Sequence, residues 1–366
     1  MRTALVTTYP SDYRLSLYRL LASSHGLEVL CHGRGARYAP AWSADLDAQL
    51  AAADFPARRI DGPRAALSLG REYDAVIAPF AGGSMLPAAY VGARRYGTPF
   101  VLWASVWHQP RSVTHALTLP VTRHIYRHAD AVIAYGAHVR RFAARIRGRD
   151  DDIFIAPQAV ERELFGRRVD DAETAAFRAR HELGDGPLVL YTGRLVSEKG
   201  IEVLADAWPR VTAPATLVLA GDGPLAERVR AVPGARLLGP VARAHLPVAY
   251  AAARFTVVPS VPTPRFKEPW GLVCNEAFEQ GRPVIATTAV GAAVGGLVLD
   301  GRTGLVVTPN DPQQLAEAID RLLVDDALRA QLGEAACAAV QPFTYEAMAA
   351  GVAAALAAAG VPAGPG

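Results

Sequence analysis

The sequence predicts an α/β protein made of two doubly wound parallel-sheet domains, on three observations. The chain has 366 residues, too many for one ordinary core and about right for two. Short apolar runs of strand length alternate with longer helix-like segments, which is the rhythm of a parallel sheet with crossover helices. That rhythm is interrupted once and then restarts.

In the first half the apolar runs are 4–7, 28–31, 75–78, 100–104 and 131–134. A further short strand, 153–155, follows Asp150-Asp151-Asp152. Residues 167–180 read as an exposed polar connector and helix, so the boundary is placed near Phe165. The rhythm resumes at 188–191 and continues through 215–220, 235–238, 255–258, 283–286 and 304–307. The expected domains are therefore 1–165, 166–345 and a terminal segment 346–366. Residues 352–366 form an alanine-rich helix running into Gly-Val-Pro-Ala-Gly-Pro-Gly, a composition that cannot build a core, and the last residues are expected to be disordered.

Composition narrows the function classes. With 51% hydrophobic and 20% charged residues the chain is neither disordered nor collagenous. Its net charge of +3, from 38 basic and 35 acidic residues, gives no reason to expect a nucleic-acid partner. The three cysteines, Cys31, Cys274 and Cys337, have neither a disulfide nor a zinc spacing, which fits a reducing cytoplasm. The N-terminal apolar run is too short for a signal peptide, and no run approaches the length of a membrane span.

The most informative stretch is Lys267-Glu268-Pro269-Trp270-Gly271-Leu272-Val273-Cys274-Asn275-Glu276-Ala277, followed by Gly281-Arg282-Pro283-Val284. It reads loop, helix, turn, strand. Pro269 suits a helix start, which would leave the amides of Trp270, Gly271 and Leu272 as unpaired donors at the positive end of the helix dipole. Such a terminus binds phosphate or sugar hydroxyls. Glu268 and Glu276 are eight apart, which puts one carboxylate at the helix start and the other two turns on, within reach of one ligand.

This stretch resembles the retaining glycosyltransferases of family four, whose mark is E-P-[FW]-G-L-x-x-x-E-A-x-x-x-G-x-P-V. The resemblance implies GT-B architecture, two Rossmann-like domains facing each other across an interdomain cleft. It further implies that Glu276 holds ribose hydroxyls of a nucleotide-sugar donor, while Glu268 and the following amides hold the sugar. A second segment, Gly193-Arg194-Leu195-Val196-Ser197-Glu198-Lys199-Gly200, is similar to the family's G-R-x-x-x-E-K-G. Arg194 and Lys199 are the cations expected to stabilise the departing diphosphate, since no metal-ligand set is evident and no cofactor is expected. Gly221, Gly223 and Val241 stand where relatives border the nucleotide.

The first half matches more loosely. After the first strand, 8–14 carries no G-x-G-x-x-G, which argues against a dinucleotide oxidoreductase. His108 stands where relatives carry a histidine near the reacting centre, in a region that also holds His115, His124 and His128. Gln158, Ala159 and Glu161 depart from the family's P-N-G-V-D segment, and Gly291-Ala292-Ala293-Val294 replaces G-G-x-P-E.

Residues 111–149 collect eight arginines against one acid, Asp130, among apolar side chains. Such a face is drawn to anionic headgroups at about 1 kcal/mol per cation, so a peripheral place at the inner membrane face is an expectation. Asp150-Asp151-Asp152 reads as a solvated turn. The expected activity is transfer of a hexose-type sugar from a UDP- or GDP-linked donor to a glycan, lipid-linked or small-molecule acceptor, in envelope polysaccharide or glycoconjugate synthesis. Two alternatives stand beside it: a nucleotide-sugar epimerase of the same architecture, and a noncatalytic sugar-nucleotide-binding protein.

Overall fold

The computed structural model describes residues 1–33, 45–80 and 83–362. The chain divides into two compact units, one of Met1–Gln158 with the C-terminal segment from Tyr345, the other Ala159–Thr344.

The first unit holds a seven-stranded sheet of β1 (Thr3–Thr7), β2 (Leu27–Cys31), β3 (Ala57–Arg59), β4 (Ala75–Pro79), β5 (Phe100–Ala104), β6 (Ala131–Ala134) and β7 (Ile153–Ile155). Its order is β3-β2-β1-β4-β5-β6-β7, and every pair is parallel. Parallel strands covered on both faces must be apolar throughout, and β5 and β6 are buried at every residue. On one face Val76, Leu102 and Val132 pack with Leu69, Ala89, Ile125 and Tyr126 from the covering helices. Strand β3 escapes the sequence pattern because Ala-Arg-Arg is a polar edge strand; its Arg59 pairs with Asp47 at 2.9 Å.

The second unit holds a six-stranded parallel sheet of β8 (Leu188–Thr192), β9 (Thr216–Ala220), β10 (Ala235–Gly239), β11 (Phe255–Val258), β12 (Val284–Thr287) and β13 (Gly304–Val307). Its order is β10-β9-β8-β11-β12-β13. Its core joins Val189, Tyr191, Leu217, Phe255 and Ile285 to Leu204, Ile319 and Leu322 on the helices.

Three expectations are corrected. The division falls at Gln158/Ala159 instead of near Phe165. Phe165 is fully buried, 6.5 Å from the ring of Tyr250 and beneath the guanidinium of Arg243, so it belongs to the second unit's interior. The terminal segment is not a separate piece: helix Tyr345–Ala358 completes the first unit, with Val352, Ala355 and Leu356 buried. Its Tyr345 phenol donates to the Tyr13 carbonyl at 2.8 Å, and Val361 beyond it is buried too. Residues 363–366, expected to be disordered, lie outside the described residues. Third, Asp150-Asp151-Asp152 is more than a solvated turn, because Asp152 accepts from the buried guanidinium of Arg147 and from Arg149 at 2.9 Å.

Candidate functional site

In the second unit β8 lies between β9 and β11, so the strand order reverses at the β8/β11 boundary. Loops leaving the carboxyl ends of strands on either side of such a point diverge and leave a crevice for a ligand. Arg194 and Lys199 follow β8, whereas Glu268 follows β11.

Lys199 and Glu268 meet there. The Lys199 ammonium donates to Glu268 Oε2, and Ser260 Oγ donates to the same oxygen at 3.3 Å. Glu268 is 7% exposed, a burial that a carboxylate sustains only with charged and hydrogen-bonding partners. Its backbone is fixed as well, by a bridge to Val290 and by the Gly291 amide donating to the Glu268 carbonyl at 3.1 Å. The segment 288–294, which includes the short helix Gly291–Val294 and where the family's glutamate is replaced, thus buttresses Glu268. Thr287 donates to the Ser260 carbonyl, joining the ends of β11 and β12.

The helix carrying Glu276 runs Val273–Glu279 and starts later than the proline suggests. Gly271 has φ +92°, outside the helical region, so Pro269–Gly271 is loop and Leu272 is the N-cap residue. The amides of Trp270 and Gly271 therefore lie before the helix, a correction to the sequence expectation. Trp270 is a packing residue: its indole donates to Asn275 Oδ1 at 2.7 Å and lies 5.6 Å from the Phe343 ring.

Glu276 has a partner that the sequence motif does not reveal. The Tyr250 phenol donates to Glu276 Oε2 at 2.5 Å and lies 2.7 Å from Thr192 Oγ1 at the end of β8. Glu276 keeps some solvent exposure, yet its carboxylate is densely surrounded, and this desolvation pushes its pKa above the usual carboxylate range. The Tyr250 hydrogen bond and the charge of Arg243 offset part of that rise. Arg243 in turn pairs with Glu161 at 2.7 Å, the residue standing where the family pattern has aspartate. The thiol of Cys274, buried between the two glutamates, is pushed well above its ordinary value by burial and by both charges.

The remaining candidates line the same sheet edge. The Tyr191 phenol donates to the Arg194 carbonyl at 2.6 Å, and Arg194 faces Glu198 at 3.5 Å. The loops after β8, β9 and β10 are joined by backbone bonds: Gly193 to the Ala220 carbonyl at 3.0 Å, Leu195 to Asp222 at 2.8 Å and Gly221 to Gly239 at 2.8 Å. A Cβ on Gly221 would stand 1.8 Å from the Gly193 carbonyl oxygen, and one on Gly223 2.5 Å from that of Leu195. These glycines are needed for loop-to-loop contact. Val241 is half-buried beyond β10.

His108 lies in the first unit, in the loop after β5, half-buried beside Trp107. The neighbouring histidines have structural partners: Ser112 for His115 at 2.7 Å, Tyr90 for His124 at 3.2 Å, and the His124 carbonyl for His128 at 2.9 Å. Among the described residues no group of three or more His, Cys, Asp or Glu is placed to hold a metal ion.

Sequence reasoning missed Tyr250, Ser260 and Arg243. Tyr250 sits in the apolar helix Leu246–Ala252, where a tyrosine reads as core, and only the fold brings it to Glu276.

Residues 186–325 match the family described as Glycosyl transferases group 1. The chain is 31% identical over 272 residues to an alpha-D-kanosaminyltransferase of Streptomyces kanamyceticus, covering 67% of this chain and 66% of that protein. It is 34% identical over 238 residues to a D-inositol 3-phosphate glycosyltransferase of Xylanimonas cellulosilytica, covering 60% of this chain and 54% of that one. The chain thus spans roughly half to two thirds of the length of the curated relatives it matches. Among solved structures, Anabaena Alr3699/HepE in complex with UDP superposes with a TM-score of 0.80 at 21% identity, covering 98% of this chain and 100% of that one. That likeness shows the GT-B fold, two Rossmann-like domains with parallel sheets. The match to the group 1 glycosyl transferases thus lies within the second unit.

Proposed function

We propose that the protein transfers a hexose-type sugar from a UDP- or GDP-linked donor to a glycan, lipid-linked or small-molecule acceptor, with retention of anomeric configuration. The observation that carries this reading is the Lys199–Glu268 pair at the β8/β11 crevice, with the Tyr250-bound Glu276 on the adjoining helix. The kanosaminyltransferase and inositol-phosphate glycosyltransferase among its relatives support glycosyl transfer as the reaction class.

In this reading Glu276 accepts from the ribose hydroxyls, and Glu268 accepts from hydroxyls of the donor sugar while holding Lys199 in place. Lys199 and Arg194, with amides of the Trp270–Leu272 loop, stabilise charge growing on the diphosphate as the bond from the sugar C1 breaks. The acceptor oxygen bonds to C1 on the same face, and its proton passes to the departing phosphate oxygen. His108 orients the acceptor on the first unit, and Gly221, Gly223 and Val241 border the nucleotide. The reaction needs no metal and no cofactor.

Calorimetric titration with UDP, GDP and ADP, with and without EDTA, tests the donor site. One selective, EDTA-insensitive nucleotide is expected; absence of binding to all three by folded protein overturns the reading. Glu268→Ala is expected to lower turnover with nucleotide affinity nearly intact, whereas Arg194→Ala weakens both. The anomeric configuration of the product, read by NMR, tests retention.

We also place the enzyme in the cytoplasm at an anionic membrane surface. Helix Val113–His128 exposes Val113, Leu117 and Val121 at four-residue spacing and carries no acidic residue. Among the described residues no helix is long and apolar enough to cross a membrane. Flotation with anionic but not neutral vesicles is expected, and equal recovery with both overturns the placement.

A further inference from the structure

The first unit contains a cavity of about 480 Å³ lined by Trp107, His108, Arg123, Arg127, Phe142, Arg145 and Ile146. Its size is that of a small-molecule site. Its walls come from the loop after β5, from helix Val113–His128 and from helix Ala137–Arg147. Arg123 and Arg127 are one helical turn apart, and Arg145 faces them from the second helix.

The charge balance of this cavity is unusual. No carboxylate lines it. The acids nearby in sequence are engaged elsewhere: Asp130 with Arg94 at 3.1 Å, Asp150 with Arg140 at 3.3 Å, and Asp152 with Arg147 and Arg149. Arg127 is anchored by its Nε, which donates to the Ile146 carbonyl at 3.1 Å and leaves its terminal nitrogens available. Arg123 and Arg145 have no hydrogen bond or ion pair among the described residues. Like charges gathered without a counter-ion repel, and a dianion that accepts from several guanidinium forks reverses that cost. Trp107 and Phe142 add an apolar wall, with Phe142 held edge-on to Tyr126 at 6.4 Å. A bare anion would leave this wall unused.

We propose that this cavity binds a phosphate monoester whose organic part rests against Trp107 and Phe142, and that it thereby selects a phosphorylated acceptor. Naming the ligand an acceptor rests on the glycosyl-transfer reading; the binding itself does not. Two sources carry this chemistry, a soluble phosphate ester and the headgroup of a phosphomonoester lipid.

The test is calorimetric titration of the full chain with phenyl phosphate and with phenol, beside flotation with phosphatidic acid vesicles and with phosphatidylglycerol vesicles of matched charge, repeated for R123Q/R145Q. A parallel titration with UDP and GDP reports the second unit separately, and a thermal unfolding scan that matches the unsubstituted protein shows that the first unit of the variant is folded. Phenyl phosphate binding without phenol binding, weakened at least tenfold in R123Q/R145Q with nucleotide affinity unchanged, supports the proposal with a soluble source. Binding only to phosphatidic acid vesicles, lost in the same variant, supports it with a lipid source. Absence of binding in both arms, or binding that R123Q/R145Q leaves intact, overturns it. Failure of both nucleotide titrations alone would instead count against the donor site and leave the phosphate result standing.

Discussion

The Tyr250 phenol donates to the Glu276 carboxylate at 2.5 Å while burial pushes that carboxylate's pKa upward. A folded-state pKa above the unfolded value means that stability from this group is full at low pH and is lost as pH rises through the folded pKa. Ionised Glu276 therefore costs the fold stability at neutral pH, and Glu276→Gln is expected to raise the melting temperature on the order of 2 °C. The same change weakens nucleotide binding if the ribose needs the carboxylate. Tyr250→Phe removes a hydrogen bond to a charged group, worth about 1.5–3 kcal/mol. It also raises the Glu276 pKa further, so UDP or GDP affinity should begin to fall at a higher pH than in wild type. Superimposable pH profiles for the two proteins would refute the coupling.

Lys199 and Glu268 share a largely buried site, and loss of one partner strands the other. Lys199→Met is expected to cost about 3 kcal/mol in urea unfolding. Adding Glu268→Gln to it should recover more than half of that loss, which a double-mutant cycle measures directly. Additive costs would show that the pair contributes no coupling.

Gly221 has no room for a side chain, because a Cβ there would stand 1.8 Å from the Gly193 oxygen. Gly221→Ala should separate the loops after β8 and β9, cost about 3 kcal/mol of stability and weaken nucleotide binding. Unfolding and calorimetry on the same preparation report both effects.

Asp152 holds the buried guanidinium of Arg147, which also donates to the Tyr126 and Ala129 carbonyls. Burial alone would raise the Asp152 pKa, but hydrogen bonds and charge from Arg147 and Arg149 carry it below the usual range. A depressed folded pKa gives stability that is present above the unfolded value and is lost as pH falls through the folded one. Asp152→Ala should therefore cost about 3 kcal/mol at pH 7, and this difference from wild type should shrink in acid.

The fold was legible because buried parallel strands must be apolar along their whole length, as β5 and β6 are. Strand β3 was not, since an edge strand tolerates Arg58 and Arg59. Glu268, Glu276, Arg194 and Lys199 were legible as local spacings. The pairing of Lys199 with Glu268 spans 69 residues, and that of Tyr250 with Glu276 spans 26, so each waits for the sheet to bring its loops together. The helix start was misread because the φ of Gly271 outweighs the preference of Pro269 for a first turn. The boundary was misread because the polar stretch 167–180 reads as a connector, whereas Phe165 just before it packs against Tyr250.

Because helix Tyr345–Ala358 belongs to the unit that begins at Met1, the second unit is nested within the first as a continuous insert. On the ribosome, all of Ala159–Thr344 is available before the first unit has its last helix. The insert can thus mature during synthesis, while its host waits for helix Tyr345–Ala358 to leave the exit tunnel. A premature stop at Tyr345 would spare the nested domain and leave its host permanently unfinished.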